Sequence, residues 1–84
     1  MAERYALYVR DWCWYCSKVR RAMKDLGLEL PIRDIAESHH REALIGGGGM
    51  SQVPCLRIDH PNGRTEWMYE SDDIIRYLKA HAAA

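Results

Sequence analysis

The sequence has no net charge, no long apolar run and no second cysteine or histidine pair that fits a zinc template, and each absence excludes a class of protein. Twelve basic side chains balance twelve acidic ones, so no global field draws nucleic acid or an anionic membrane surface to the chain. No stretch approaches the roughly 20 apolar residues of a membrane span. The N-terminus has no basic segment leading into an apolar run and a small-residue cleavage site. A cytoplasmic protein is therefore expected, with neither nucleic acid nor membrane as partner. No internal repeat or interdomain linker breaks the 84 residues, which are read as a single domain, residues 1–84. With 48% hydrophobic and 29% charged residues, the composition is that of an ordinary globular domain and excludes disorder.

Cysteine is also scarce. Three residues, an odd number, cannot build the disulfide framework of a small secreted domain. Two of them, Cys13 and Cys16, enclose only Trp14 and Tyr15. In a reducing compartment such a pair reads as chemical rather than structural.

Local patterning places the pair. Tyr5-Ala6-Leu7-Tyr8-Val9 reads as a buried strand that ends at the pair. From 14 to 26 the apolar positions Tyr15, Val19, Ala22, Met23 and Leu26 recur at helical spacing, with Lys18, Arg20 and Arg21 off that face and Gly27 as a stop. Residues 28–34 alternate as a second strand, with Pro31 confining it to a sheet edge. Together these make a right-handed parallel βαβ unit. Ser38 is expected to cap a short helix reaching Ile45, followed by a flexible loop of the four glycines at 46–49. That loop lacks the ending of a phosphate loop and is assigned no chemistry. Residues 53–58 and 65–69 flank Asp59-His60-Pro61-Asn62-Gly63 as a hairpin. Ser71 is expected to cap a last helix running to about His81, with residues 82–84 as a frayed end.

A thiolate, not a thiol, attacks a disulfide, so one cysteine of a working pair must have its pKa lowered from about 8.5 toward roughly 3.5 to 7.5. Cys13 lies just ahead of a helical turn, where free amides and the helix dipole favour an anion, and Arg10 adds positive charge nearby. Cys16 sits one turn further in, within reach of a mixed disulfide at Cys13. This ordering makes Cys13 the nucleophile and Cys16 the resolving thiol. The alternative, half of a structural zinc site, would need Cys55 and one of His39, His40, His60 or His81. No second closely spaced pair fits that template, and no metal is expected.

With Cys-x-x-Cys opening the first helix, the order β-α-β-α-β-β-α resembles the minimal thioredoxin superfamily arrangement, and specifically glutaredoxins. The resemblance implies an α/β, thioredoxin-like fold: a four-stranded mixed sheet of order 2-1-3-4 flanked by three helices. Gln52-Val53-Pro54 looks like the segment that carries a cis-proline beside the cysteines in glutaredoxins and in glutathione transferase N-terminal domains, although an X-Pro bond is ordinarily trans. Val53 would then pair its backbone with the cysteinyl part of glutathione. Glu70-Ser71-Asp72-Asp73 resembles the helix start that holds the γ-glutamyl end. Amides at Ser71 and Asp72 would take its carboxylate and the Asp72 side chain its ammonium, although such a segment can equally be an ordinary cap. Tyr15 would line the groove, and Arg10, Gln52 or Arg41 would meet the glycyl carboxylate.

The implied activity is glutathione-dependent reduction of protein disulfides and glutathione mixed disulfides. Its partners would be glutathione and disulfide-containing or glutathionylated proteins, and its working form a monomer. Rival implications are a carrier holding an iron–sulfur cluster between two subunits with Cys13 and glutathione as ligands, a thioredoxin-like protein served by a reductase, and a transferase-like binding module. Two departures bear on these. Trp14 replaces the usual proline between the cysteines, and Glu70-Ser71 looks like the transferase pair rather than the two glycines of many glutaredoxins. A transferase needs a further helical domain, and the chain ends where that domain would begin. Cys55 is read as a small core residue.

Overall fold

A computed structural model describes residues 3–82. The first strand, β1 (Arg4–Val9), is buried over its second half and forms the centre of the sheet. The helix α1 (Trp14–Asp25) returns the chain to β2 (Ile32–Asp34), which pairs parallel to β1 with Leu7 opposite Ile32. Next come α2 (Ser38–Gly48), β3 (Cys55–Asp59), β4 (Thr65–Met68) and α3 (Ser71–Tyr77). Both β3 pairings are antiparallel, giving the order β2-β1-β3-β4. The expected α/β fold, mixed four-stranded sheet and edge position of the second strand all stand. None of the helices among the described residues is long and apolar enough to cross a membrane.

The two sheet faces carry separate cores, as the alternation of side chains along a strand requires. Leu7, Val9, Leu56 and Ile58 point toward α1 and α3, where they meet Cys16, Val19, Met23, Ile74 and Leu78. Ala6, Tyr8 and Cys55 point the other way, under Leu44 of α2. The α1 helix ends as its sequence foretells. Gly27 takes φ +69°, with its amide on the Lys24 carbonyl and the Leu28 amide on that of Met23, a paired closure that satisfies two of the last free carbonyls.

The structure corrects four local expectations. The glycines at 46–49 form no flexible loop: Gly46, Gly47 and Gly48 are helical, and Gly49 at φ +90° terminates α2. Glycine costs a helix about 1 kcal/mol per residue relative to alanine, so something must require it. At Gly47 an added Cβ would overlap the Trp67 indole, and at Gly48 the Tyr69 phenol. The two glycines thus let aromatics at the end of β4 lie directly on the helix backbone.

The other corrections concern ends. Ser38 and Ser71 are the first residues of their helices rather than the caps; the cap positions belong to Glu37 and Glu70, neither of which makes a side-chain cap hydrogen bond. The second strand is only three residues long, because Leu28 and Leu30 turn in to pack against the α1 core instead of joining the ladder. Pro31 lies just outside the strand and still accepts the Leu7 amide at 2.9 Å. The last α-helix stops at Tyr77 and continues as a π-helical turn, Leu78–Ala82. Of the frayed end expected at 82–84, Ala82 instead closes this turn, and residues 83 and 84 lie outside the described residues.

Candidate functional site

The chain leaves β1 and turns through Trp12, whose φ of +58° is unusual for a side chain of that bulk. This sharp turn sets Cys13 at the cap position of α1, with extended backbone and its sulfur accepting the Cys16 amide at 3.2 Å. A sulfur that caps a helix replaces the hydroxyl or carboxylate that usually satisfies a first-turn amide. Around it Trp12, Trp14 and Tyr15 are all exposed.

The cysteines differ in access. All three are free thiols, with Cys13 8% exposed, Cys16 2% and Cys55 fully enclosed. Burial, then the hydrogen bond with Cys13, pushes the Cys16 thiol up to about 12. Burial likewise pushes Cys55 up to about 12. Removing either thiol's proton would strand a charge in an apolar interior.

Beside the pair runs a groove of about 320 Å³ between the start of α1, the segment before β3 and the start of α3. It brings together seven of the expected residues: Tyr15 from α1, Gln52, Val53 and Pro54, and Glu70, Ser71 and Asp72. The Val53–Pro54 bond is cis, as the resemblance implied. Arg10 and Arg41 do not line this groove; both are exposed, and Arg10 instead reaches Cys16 through its backbone. A larger hollow of about 730 Å³ between α1 and β2 holds no cysteine and none of the expected residues.

Two groove residues escaped the sequence reading. Tyr69 precedes Glu70, and its hydroxyl is tied to the backbone of Met50 in both directions, donating at 3.1 Å and accepting at 3.3 Å. Lys18 donates to the Asp72 carboxylate at 2.5 Å, joining α1 to α3. That hydrogen bond and the lysine charge hold the Asp72 carboxyl below its usual range.

Among the described residues, one group of three or more ligand-type side chains could hold a metal: Glu37, His39 and His40, with ligand atoms within 4.8 Å of one another. It contains no cysteine and lies at the start of α2. The zinc alternative built on Cys13, Cys16, Cys55 and a histidine is thus not assembled.

A parallel strand pair, an antiparallel hairpin, a cis-proline and a helix-capping Cys-x-x-Cys define a thioredoxin-like domain. Residues 12–81 match the family described as the glutathione S-transferase N-terminal domain, and the chain belongs to that family. No curated protein matches it. Maleylacetoacetate isomerase from Anaeromyxobacter dehalogenans 2CP-1, in a structure with glutathione bound in the active site, is 25% identical with a TM-score of 0.70 over 96% of this chain and 39% of that one. The chain therefore spans well under half of the isomerase. A wheat glutaredoxin is 22% identical, TM-score 0.64, over 89% of this chain and 70% of its own. A glutaredoxin from Brucella melitensis is 18% identical, TM-score 0.59, over 92% and 79%. The fold is thus shared by this chain, the two glutaredoxins and a part of the isomerase.

Proposed function

We propose that residues 1–84 form a glutathione-dependent thiol–disulfide oxidoreductase working as a monomer in the cytoplasm, with Cys13 as nucleophile and Cys16 as resolving thiol. The observation that carries this reading is the pairing of a helix-capping sulfur at Cys13 with a groove whose lining matches the parts of glutathione. Tyr15 flanks the tripeptide, and the backbone of Val53, beside Pro54, pairs with its cysteinyl unit. Glu70, Ser71 and Asp72 meet the γ-glutamyl end, where no side chain caps the first-turn amides. Gln52, which lines the groove, serves the glycyl carboxylate.

In the reaction, the Cys13 thiolate attacks the glutathione sulfur of a protein mixed disulfide. The S–S bond breaks, the protein leaves as its thiolate and takes up a proton, and Cys13 becomes glutathionylated. A second glutathione thiolate attacks that disulfide, releasing oxidised glutathione and restoring Cys13. For a protein disulfide, Cys13 attacks one sulfur and frees the other as a thiolate; Cys16 then displaces the target, leaving a Cys13–Cys16 disulfide that two glutathiones reduce, departing as oxidised glutathione. The Cys16 proton, held by burial, must be lost as it attacks, and the departing target thiolate is the natural acceptor.

The isomerase with bound glutathione supports glutathione as the ligand. It also favours a second reading, in which the domain only presents glutathione to an electrophile as part of a larger enzyme. The cysteines distinguish the two, since presentation needs neither sulfur. An iron–sulfur carrier would draw its ligands from thiolates.

Turnover of a glutathionylated peptide by glutathione tests the proposal. Cys13→Ser is expected to lower it by roughly a hundredfold or more. Cys16→Ser should retain it while losing reduction of protein disulfides. Full activity in Cys13→Ser would leave the presentation reading in its place.

A further inference from the structure

Resting on the glutathione reading above, we infer that Lys18 is a specificity-determining residue of the groove, forming with Asp72 a charge pair that reads both charges of the γ-glutamyl end together. Lys18 lies in the second turn of α1 and Asp72 in the first turn of α3, 54 positions apart in the chain. Both line the groove, with the Lys18 Nζ 2.5 Å from Asp72 Oδ1. The side chains are 43% and 72% exposed, so each keeps a face open to a ligand. An exposed pair of this kind contributes little to folding. Its effect is on what can dock.

A lone carboxylate in the groove would accept any amine, and a lone ammonium any acid. Side by side they complement a zwitterion laid antiparallel to them: its α-carboxylate on Lys18, its α-ammonium on Asp72. The ion pair need not break for the ligand to bind, because each group keeps spare hydrogen-bonding capacity. An ammonium has three donors and a carboxylate about four lone-pair sites. The surrounding charges sharpen the choice. Glu70 lines the same groove and opposes a second acid group, while Arg76, whose carboxylate partner is Asp73, adds positive charge toward Asp72. The groove is thereby selective for an α-amino acid terminus over a simple dicarboxylic or amine terminus.

Calorimetric titration of the reduced protein with three tripeptides tests this. The ligands are glutathione, glutaryl-Cys-Gly, which lacks the α-ammonium, and 4-aminobutanoyl-Cys-Gly, which lacks the α-carboxylate. The native chain should bind glutathione more tightly than either analogue. Lys18→Met is expected to weaken glutathione and glutaryl-Cys-Gly by about fivefold while leaving 4-aminobutanoyl-Cys-Gly unchanged. Lys18→Arg should restore glutathione binding, and Asp72→Asn should show the mirror pattern. Unchanged or tighter glutathione binding in Lys18→Met overturns the assignment, as does an equal loss for all three ligands. If the native chain binds none of them, the glutathione reading itself falls and this role for Lys18 with it.

Discussion

The helices α1 and α2 cover opposite faces of one sheet, yet they are built on opposite principles. In α1 the apolar side chains Val19 and Met23 project into the core, and the helix stands off the sheet by the thickness of those side chains. In α2 only Leu44 is fully buried, and the last turn dispenses with side chains so that Trp67 and Tyr69 reach its backbone. A run of glycine therefore has two physical meanings. It loosens a chain in open solvent, and it permits close approach where a bulky neighbour arrives from another element. Only the neighbour distinguishes them, and that neighbour lies some twenty residues away in the sequence.

The contrast breaks most visibly at the position with no room. Gly48→Ala places a methyl against the Tyr69 phenol and should cost about 1–3 kcal/mol in denaturant unfolding. Because Tyr69 also lines the groove, glutathione binding should weaken with it. A flexible loop would tolerate the change with no loss.

Each face also holds one thiol whose pKa burial raises, Cys16 on the α1 side and Cys55 on the α2 side. Both are raised from an ordinary 9.0 to about 12. Above pH 9 the unfolded chain sheds these protons while the folded chain retains them. The stabilisation is thus complete below about pH 9 and is lost as pH rises from there toward 12. Denaturant midpoints should fall between pH 8 and pH 10.5, and fall less in Cys55→Ala. An equal fall in both chains would show that Cys55 takes no part.

The smallest effect has the opposite sign. Gly46 lies in the same helix with open space where its Cβ would be, so Gly46→Ala should stabilise by about 0.5–1 kcal/mol. Opposite signs at positions 46 and 48 would separate close approach from simple helix propensity.

The α1 side was legible because its information is local: the 3.6-residue apolar stripe, Gly27 as terminator and Cys13 at the entrance of the helix all act within one segment. The order of elements and the hairpin were legible for the same reason, through alternation and turn residues. The groove was legible only through resemblance, since Pro54 and Ser71 carry no chemistry that spacing reveals. Lys18 was passed over because an exposed lysine off the apolar face has no partner until α3 folds against α1. The helical glycines were misread because propensity weighs each residue alone, whereas Trp67 and Tyr69 act from β4 and its end.

Cys13 is the sulfur expected to exchange with glutathione. The most direct measurement is peptide mapping by mass spectrometry after Cys16→Ser protein has reacted with oxidised glutathione at neutral pH. Attack by Cys13 would release one glutathione and leave the other attached, and the adduct is expected on Cys13 with the fully enclosed Cys55 unmodified. An adduct on Cys55, or an unmodified Cys13, would contradict the assignment.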